Sequence, residues 1–174
     1  MTAIAEAAAD NVLDRARQGD HDAFAAIIRD YQSVVFGIAY NFFGNGAVAE
    51  ELAQDVFLKL YRNLAAIHSH THLLHWLRQV TSRQCIDEIR RGSPKRVNLD
   101  EVDLAVPPQV LDPFIARRIR ALISTLPDMQ RLVLTLRYQE ELGPSEIGRI
   151  VGMPENTVKS YLHRALTALR KEFQ

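Results

Sequence analysis

The sequence predicts an all-α protein made of two small helical domains joined by an extended linker. Three observations carry this. Apolar residues recur at three- and four-residue steps over several long stretches, no useful length alternates apolar with polar as a strand would, and an acidic, proline-bearing stretch divides the chain. At 174 residues, 47% apolar and 24% charged, the composition is that of a globular protein and excludes collagen-like, disordered or disulfide-scaffold classes.

The first long helix is expected over about 20–43, where Phe24, Ile27, Ile28, Tyr31, Val35, Ile38 and Phe42 form one stripe before Gly44-Asn45-Gly46 stops it. A second begins near Ala47 with Glu50 and Glu51 at the positive end of its dipole. It sets Leu52, Val56, Leu60 and Leu64 on one face and Glu51, Asp55, Leu58 and Arg62 on the other. After the loop Ala65–Thr71 a third helix runs from about His72 to Arg91 and ends at Gly92-Ser93-Pro94. A short fourth helix is expected before Gly19.

The linker shows in the charge. Lys+Arg 21 balance Asp+Glu 21, yet the three parts differ: residues 1–95 hold 10 basic and 11 acidic side chains, residues 96–113 hold 1 and 4, and residues 114–174 hold 10 and 6. The middle stretch also carries three of the seven prolines. The C-terminal third is basic.

Beyond the linker, Phe114–Leu126 and Pro127–Glu140 read as helices, the second carrying Leu132, Val133, Leu136 and Tyr138. A short glycine-bounded helix at 143–152 and a longer one at 153–173 then give the layout of a helix-turn-helix. On the last helix Val158, Leu162, Ala165, Leu166, Leu169 and Phe173 share one side, while Lys159, Ser160, His163, Arg164, Thr167, Arg170 and Lys171 share the other. Asn156, Thr157, Lys159, Ser160 and His163 are therefore candidates for reading base edges, with Arg164, Arg170 and Lys171 for phosphates. The third helix carries a second polar face of His75, Arg78, Gln79, Ser82 and Arg90 opposite Leu73, Leu77 and Val80, flanked by Trp76 and Arg83. Aromatic and basic groups so interleaved suit unstacked bases, and the alternative is a packed Trp76 with merely solvating charges.

Other chemistries find little support. His68, His70, His72 and His75 could ligate a metal, but a short loop without cysteine or carboxylate partners favours solvated imidazoles. Neither G-x-S-x-G nor a phosphate-cradling loop occurs, and one cysteine, Cys85, fits a reducing compartment. No catalytic residue, cofactor or metal is expected. The acidic, alanine-rich start does not read as a signal peptide and no stretch reads as a membrane span, which makes cytoplasm the expected location.

Three strings, in order, resemble the bacterial RNA polymerase sigma factors of the extracytoplasmic-function group. Ala49–Tyr61 (AEELAQDVFLKLY) is similar to region 2.2, Trp76–Arg83 followed by Ile86–Arg91 to the regions that melt and read the minus-10 element, and Leu126–Ala165 to region 4, which reads the minus-35 element. The resemblance divides the chain into an N-terminal segment (1–19), a region 2 domain (20–95), a linker (96–112) and a region 4 domain (113–174). It implies a non-enzymatic subunit that binds core polymerase at the β′ clamp helices and the β flap, directs it to promoters and assists melting.

By the same resemblance, Glu50, Glu51, Gln54, Asp55 and Leu58 face the clamp. His68, His72, His75, Trp76, Arg78, Gln79, Ser82, Arg83, Asp87 and Arg90 lie near minus-10 DNA, and Asn156, Thr157, Lys159, Ser160, Tyr161, His163 and Arg164 near minus-35 DNA. The loop Ala65–Thr71 corresponds to one that receives a flipped-out base. Many relatives carry asparagine at the place of Arg83 and arginine at that of Tyr161, so the promoter sequence does not transfer. An anti-sigma protein is an expected further partner. The competing readings are a stand-alone helix-turn-helix regulator and, in another class, a metal sensor or metalloenzyme built on the histidines.

Overall fold

The computed structural model describes residues 2–91 and 113–172. The expected linker 96–112 and Phe173 lie outside them. Among the described residues there are eight α-helices and no strand: α1 (Thr2–Arg17), α2 (His21–Phe43), α3 (Gly46–Asn63), α4 (His70–Arg90), α5 (Pro113–Thr125), α6 (Asp128–Tyr138), α7 (Pro144–Val151) and α8 (Glu155–Glu172), with a 3-10 turn at Leu64–Ala66. None of them is long and apolar enough to cross a membrane.

Local chemistry sets the boundaries. The Asp20 carboxylate accepts from the amides of Asp22 and Ala23 at 3.0 and 3.1 Å and starts α2; the Ala23 amide, then Arg15, hold its pKa below the usual carboxylate value. Asn45 accepts from the Val48 amide at 3.3 Å and starts α3. Ser69 accepts from the His72 amide at 3.2 Å, so α4 begins two residues before the expected His72. Pro127 is the residue before α6 rather than its first, and the short helix expected before Gly19 is the 16-residue α1.

The N-terminal bundle, α1 to α4, packs around Ile27, Val35, Ile38, Phe42, Val56, Leu60, Leu73 and Leu77, all 3% exposed or less. Phe24 and Ile28, expected in the stripe, are only half-buried at its edge. The C-terminal bundle, α5 to α8, closes on Leu132, Leu136, Ile147, Ile150, Val158 and Ala165. Its helix-turn-helix needs glycine twice. Gly152 sits at φ +72, and a Cβ on Gly148 would come within 2.6 Å of the Met153 carbonyl oxygen. Tyr138, expected with the apolar positions of α6, is instead 60% exposed, whereas Arg131 on the same helix is 2% exposed.

The two bundles dock, with α2 against α6 and α4 against α7. The Arg78 Nε donates to Glu140 Oε2 at 2.9 Å, with the side chains only 17% and 5% exposed. Asn41 donates to the Gln139 side chain, whose own amide donates to Glu140 at 3.1 Å. Gly37, inside α2, lies under Gln139, so any larger side chain there would push that amide aside. Arg131 donates across the boundary to the Phe42 carbonyl and, within its own bundle, to those of Leu126 at 2.9 Å and Ser124 at 3.2 Å. Carbonyls at helix C-termini are apt partners for a cation held away from water.

Two outcomes test this packing. Leu60→Ala should cost about 2–5 kcal/mol in denaturant unfolding, because it empties a fully buried site, while the neighbouring Leu58→Ala, 55% exposed, should cost no more than about 0.5 kcal/mol. Glu140→Gln keeps an acceptor and removes the charge, so it should weaken docking by about 1 kcal/mol, the difference between a hydrogen bond to a charged group and one to a neutral group, read as a longer distance between labels on the two bundles. Docking should also weaken as pH falls below about 6.5. Burial first, then the charges of Arg149, His72 and Arg78, lower the His75 pKa, with Glu146 opposing, so the undocked state takes up the proton more readily. An unchanged distance in Glu140→Gln, or docking that tightens in acid, contradicts this account.

Candidate nucleic-acid and polymerase interface

The C-terminal helix α8 carries its cationic face as the periodicity predicts. Val158, Leu162 and Ala165 are buried, and Asn156, Lys159, Ser160, His163, Arg164, Arg170 and Lys171 are exposed on the opposite side, with Thr157 and Tyr161 half-buried between. Leu166 and Leu169 are half-buried and line the cleft between the bundles. Ser160 spends its hydroxyl on the Asn156 carbonyl at 2.9 Å, and Lys159 pairs with Glu155 at 2.6 Å, an exposed contact that a phosphate can displace at little cost. Asn156, Thr157, Ser160, Tyr161 and Arg164 share one shallow surface depression. Exposed cations and amides on a helix behind a tight turn can lie in a major groove and hydrogen-bond there.

Helix α4 is less open than expected. Arg83, Asp87 and Arg90 are exposed, Gln79 is half-buried, and Trp76 is half-buried against the core. Ser82, expected on the DNA side, is fully buried. Its position one turn after Arg78 places it on the strip of α4 that carries the contact to the C-terminal bundle. Arg78 itself is engaged by Glu140. The face foreseen for strand reading is thus partly occupied by the chain's own second bundle.

The histidines do not converge. The ring of His70 faces the Tyr31 hydroxyl, whose pKa burial raises to about 12, His68 and His72 lie side by side with ring centroids 5.7 Å apart, and His75 turns toward α7. Among the described residues no group of three or more His, Cys, Asp or Glu is placed to hold a metal ion. Cys85 is fully buried, which pushes its thiol well above the ordinary range and leaves it without nucleophilic character.

On α3, Glu50, Glu51, Gln54, Asp55 and Leu58 are exposed together. Beside them a groove runs between α2 and α3, with Phe24, Ile28, Phe36, Leu58 and Tyr61 along its walls; Leu58 and Tyr61 are 55% and 47% exposed. This apolar groove was not foreseen. Its signal lay in Phe24 and Ile28, which sit a turn to the side of the strict stripe, and in Tyr61, which meets Phe24 edge-on at 5.1 Å. Acidic groups beside exposed apolar ones mark a surface made for a partner rather than for water.

Comparison with known proteins gives these surfaces a common owner. Residues 27–94 match the family model for sigma-70 region 2, and residues 116–169 that for sigma-70 region 4. The ECF RNA polymerase sigma factor SigW of Bacillus subtilis is 31% identical over 177 residues, covering 93% of this chain and 95% of the relative. The RNA polymerase sigma-H factor of Pseudomonas aeruginosa is 26% identical, covering 94% and 92%. The same fold occurs in the sigma factor RpoE solved with the anti-sigma factor NepR from Bartonella quintana, at a TM-score of 0.69 and 18% identity over 85% of this chain and 94% of that one. It occurs also in CnrH solved with the cytosolic domain of CnrY, at 0.67 and 16% over 95% and 97%. Two matched regions in order, a helix-turn-helix with an exposed cationic face and a relative aligned over nearly its whole length have one meaning: the chain belongs to the extracytoplasmic-function sigma factors, the non-enzymatic subunits that bring core RNA polymerase to promoters.

Proposed function

We propose that this sigma factor divides promoter recognition between α8, which reads the minus-35 element through Asn156, Thr157, Lys159, Ser160, Tyr161, His163 and Arg164, and α4 with its preceding loop. That second surface reads the minus-10 element through His68, His72, His75, Trp76, Arg78, Gln79, Arg83, Asp87 and Arg90, with Ser82 joining once the bundles part. The observation that carries the reading is the two-sided character of α8, buried at Val158, Leu162 and Ala165 and exposed at Asn156, Lys159, Ser160, His163, Arg164, Arg170 and Lys171. Glu50, Glu51, Gln54, Asp55 and Leu58 dock on the β′ clamp helices, and region 4 touches the β flap. The α2–α3 groove suits an amphipathic helix of an anti-sigma protein, the kind of partner with which the similar fold of RpoE was solved. The site of action is the cytoplasm, where the polymerase works.

This reading requires the bundles to separate on the promoter. Elements named minus-10 and minus-35 lie about 25 base pairs apart, roughly 85 Å of duplex at 3.4 Å per pair. Here α4 and the C-terminal bundle touch through a 2.9 Å ion pair. The chain between Arg91 and Pro113, residues 92–112, can reach at most ~79 Å, and the ~27 Å length of α8 closes the difference. Both elements are read together only with the Arg78–Glu140 contact broken. Free chain therefore binds promoter DNA weakly, and polymerase holds it open.

Run-off transcription with core polymerase tests the division of labour. Leu58→Asp should lower core affinity at least tenfold by placing a charge in an apolar contact. Asn156→Ala should cost about 1–3 kcal/mol and relax preference at one minus-35 position, whereas Arg164→Ala should weaken all promoters alike and lessen salt dependence. Transcription unmoved by all three would overturn these assignments.

A further inference from the structure

We propose that α1 is a brace for the base-receiving loop, with Asp10 and Arg17 as positioning residues that fix its backbone. The inference rests on the reading of loop 65–71 as the part of the minus-10 surface that holds an unstacked base. The loop has Ile67 fully buried at its root and Ala65, Ala66, His68 and Thr71 exposed. A turn held at one point still needs its backbone polar groups satisfied. Some partners are local: the Ile67 amide donates to the Leu64 carbonyl at 3.1 Å, the His72 amide to Ser69 at 3.2 Å, and the His68 amide to the His72 ring at 3.3 Å.

Two others come from far upstream in the chain. The Asp10 carboxylate accepts from the His70 amide at 2.8 Å, across 60 residues, and the Arg17 guanidinium donates to the Ile67 carbonyl, across 50. Arg17 is itself steadied by Asp14 at 2.6 Å, and α1 is anchored by Leu13 and Ala16, 2% and 4% exposed. The two α1 side chains grip the loop on either side of its exposed His68. The match to sigma-70 region 2 begins only at residue 27, so this support is supplied by a segment outside the matched region. A recognition loop must hold its groups to within about half an ångström, and two charge-assisted bonds from a packed helix accomplish that.

The test uses the full chain with core polymerase on promoters randomised through the minus-10 element, with RNA starts sequenced, beside amide exchange at His70 in the free chain. Asp10→Ala and Arg17→Ala should flatten the preference at the base the loop receives by about tenfold, the scale of one mismatched pair, while minus-35 preference and core affinity stay unchanged. Asp10→Asn, which keeps the acceptor, should restore it. In Asp10→Ala the His70 amide should exchange faster. Unchanged His70 exchange overturns the brace, as does an equal loss of minus-35 preference and core affinity, which would mean general damage. If His68→Ala and Thr71→Ala alter the minus-10 preference while Asp10→Ala and Arg17→Ala do not, the brace falls and the loop reading stands. If none of the four alters it, the loop reading falls and takes the brace with it.

Discussion

A guanidinium taken out of water needs acceptors for its terminal nitrogens, and Arg131 shows what that requirement does to this fold. Its terminal nitrogens donate to the carbonyls of Phe42, Ser124 and Leu126 and to the Asp128 carboxylate at 3.3 Å, and its central carbon lies 5.7 Å from the centre of the Phe42 ring. Two of those carbonyls close the end of α5, and the third closes α2 in the other bundle. The cation thus does for the boundary between domains what a hydrophobic cluster alone would not, because it fixes which helix ends must meet. Helix α6 is buried from Arg131 to Leu136 as a result. Around it, Asn41, Gln139, Glu140 and Arg78 complete a polar seam whose register leaves little freedom.

That seam uses a surface with a second claim on it. Arg78 lies in the helix that resembles the minus-10 reader, and the Glu140 carboxylate occupies it as a phosphate would, at hydrogen-bond distance and out of solvent. On the proposed reading, the closed arrangement and the promoter-bound one compete for the same donor. A contact between partly buried charges is strong enough to bias the free chain, and a polymerase that engages several surfaces at once outweighs it. The formal charge of zero fits this division, since duplex affinity scales with the number of cationic contacts and a sigma factor obtains its hold on DNA in company.

How far the sequence could be read follows from what periodicity encodes. The helical stripes of α2, α3 and α8 place Val35, Leu60 and Val158 in the core because a 3.6-residue repeat fixes a face, and Gly152, one of the two glycines that bound the short helix in the sequence, marks the turn because its φ of +72 favours glycine. Periodicity does not say what covers a polar face. Arg78 looked solvated, and Glu140 of the second bundle engages it; Ser82, on the same polar strip, is fully buried, and Tyr138, which looked like core, is exposed at the last residue of α6. The one local hint of docking was Gly37, a poor helix former kept inside α2, where Gln139 approaches. Exposure of the α3 and α8 candidates was legible from amphipathicity, while their partners came from the resemblance and the matched regions.

The most direct test of the account is a distance measured between one label on α3 and one on α8, in the free protein and bound to core polymerase, near neutral pH. The closed seam predicts a single short distance in the free chain that Glu140→Gln lengthens, and a distance longer by tens of ångströms in the complex. A free chain already as extended as the complex, or a complex that keeps the short distance while initiating transcription, would contradict the claim that opening this contact is what frees the promoter-reading surface.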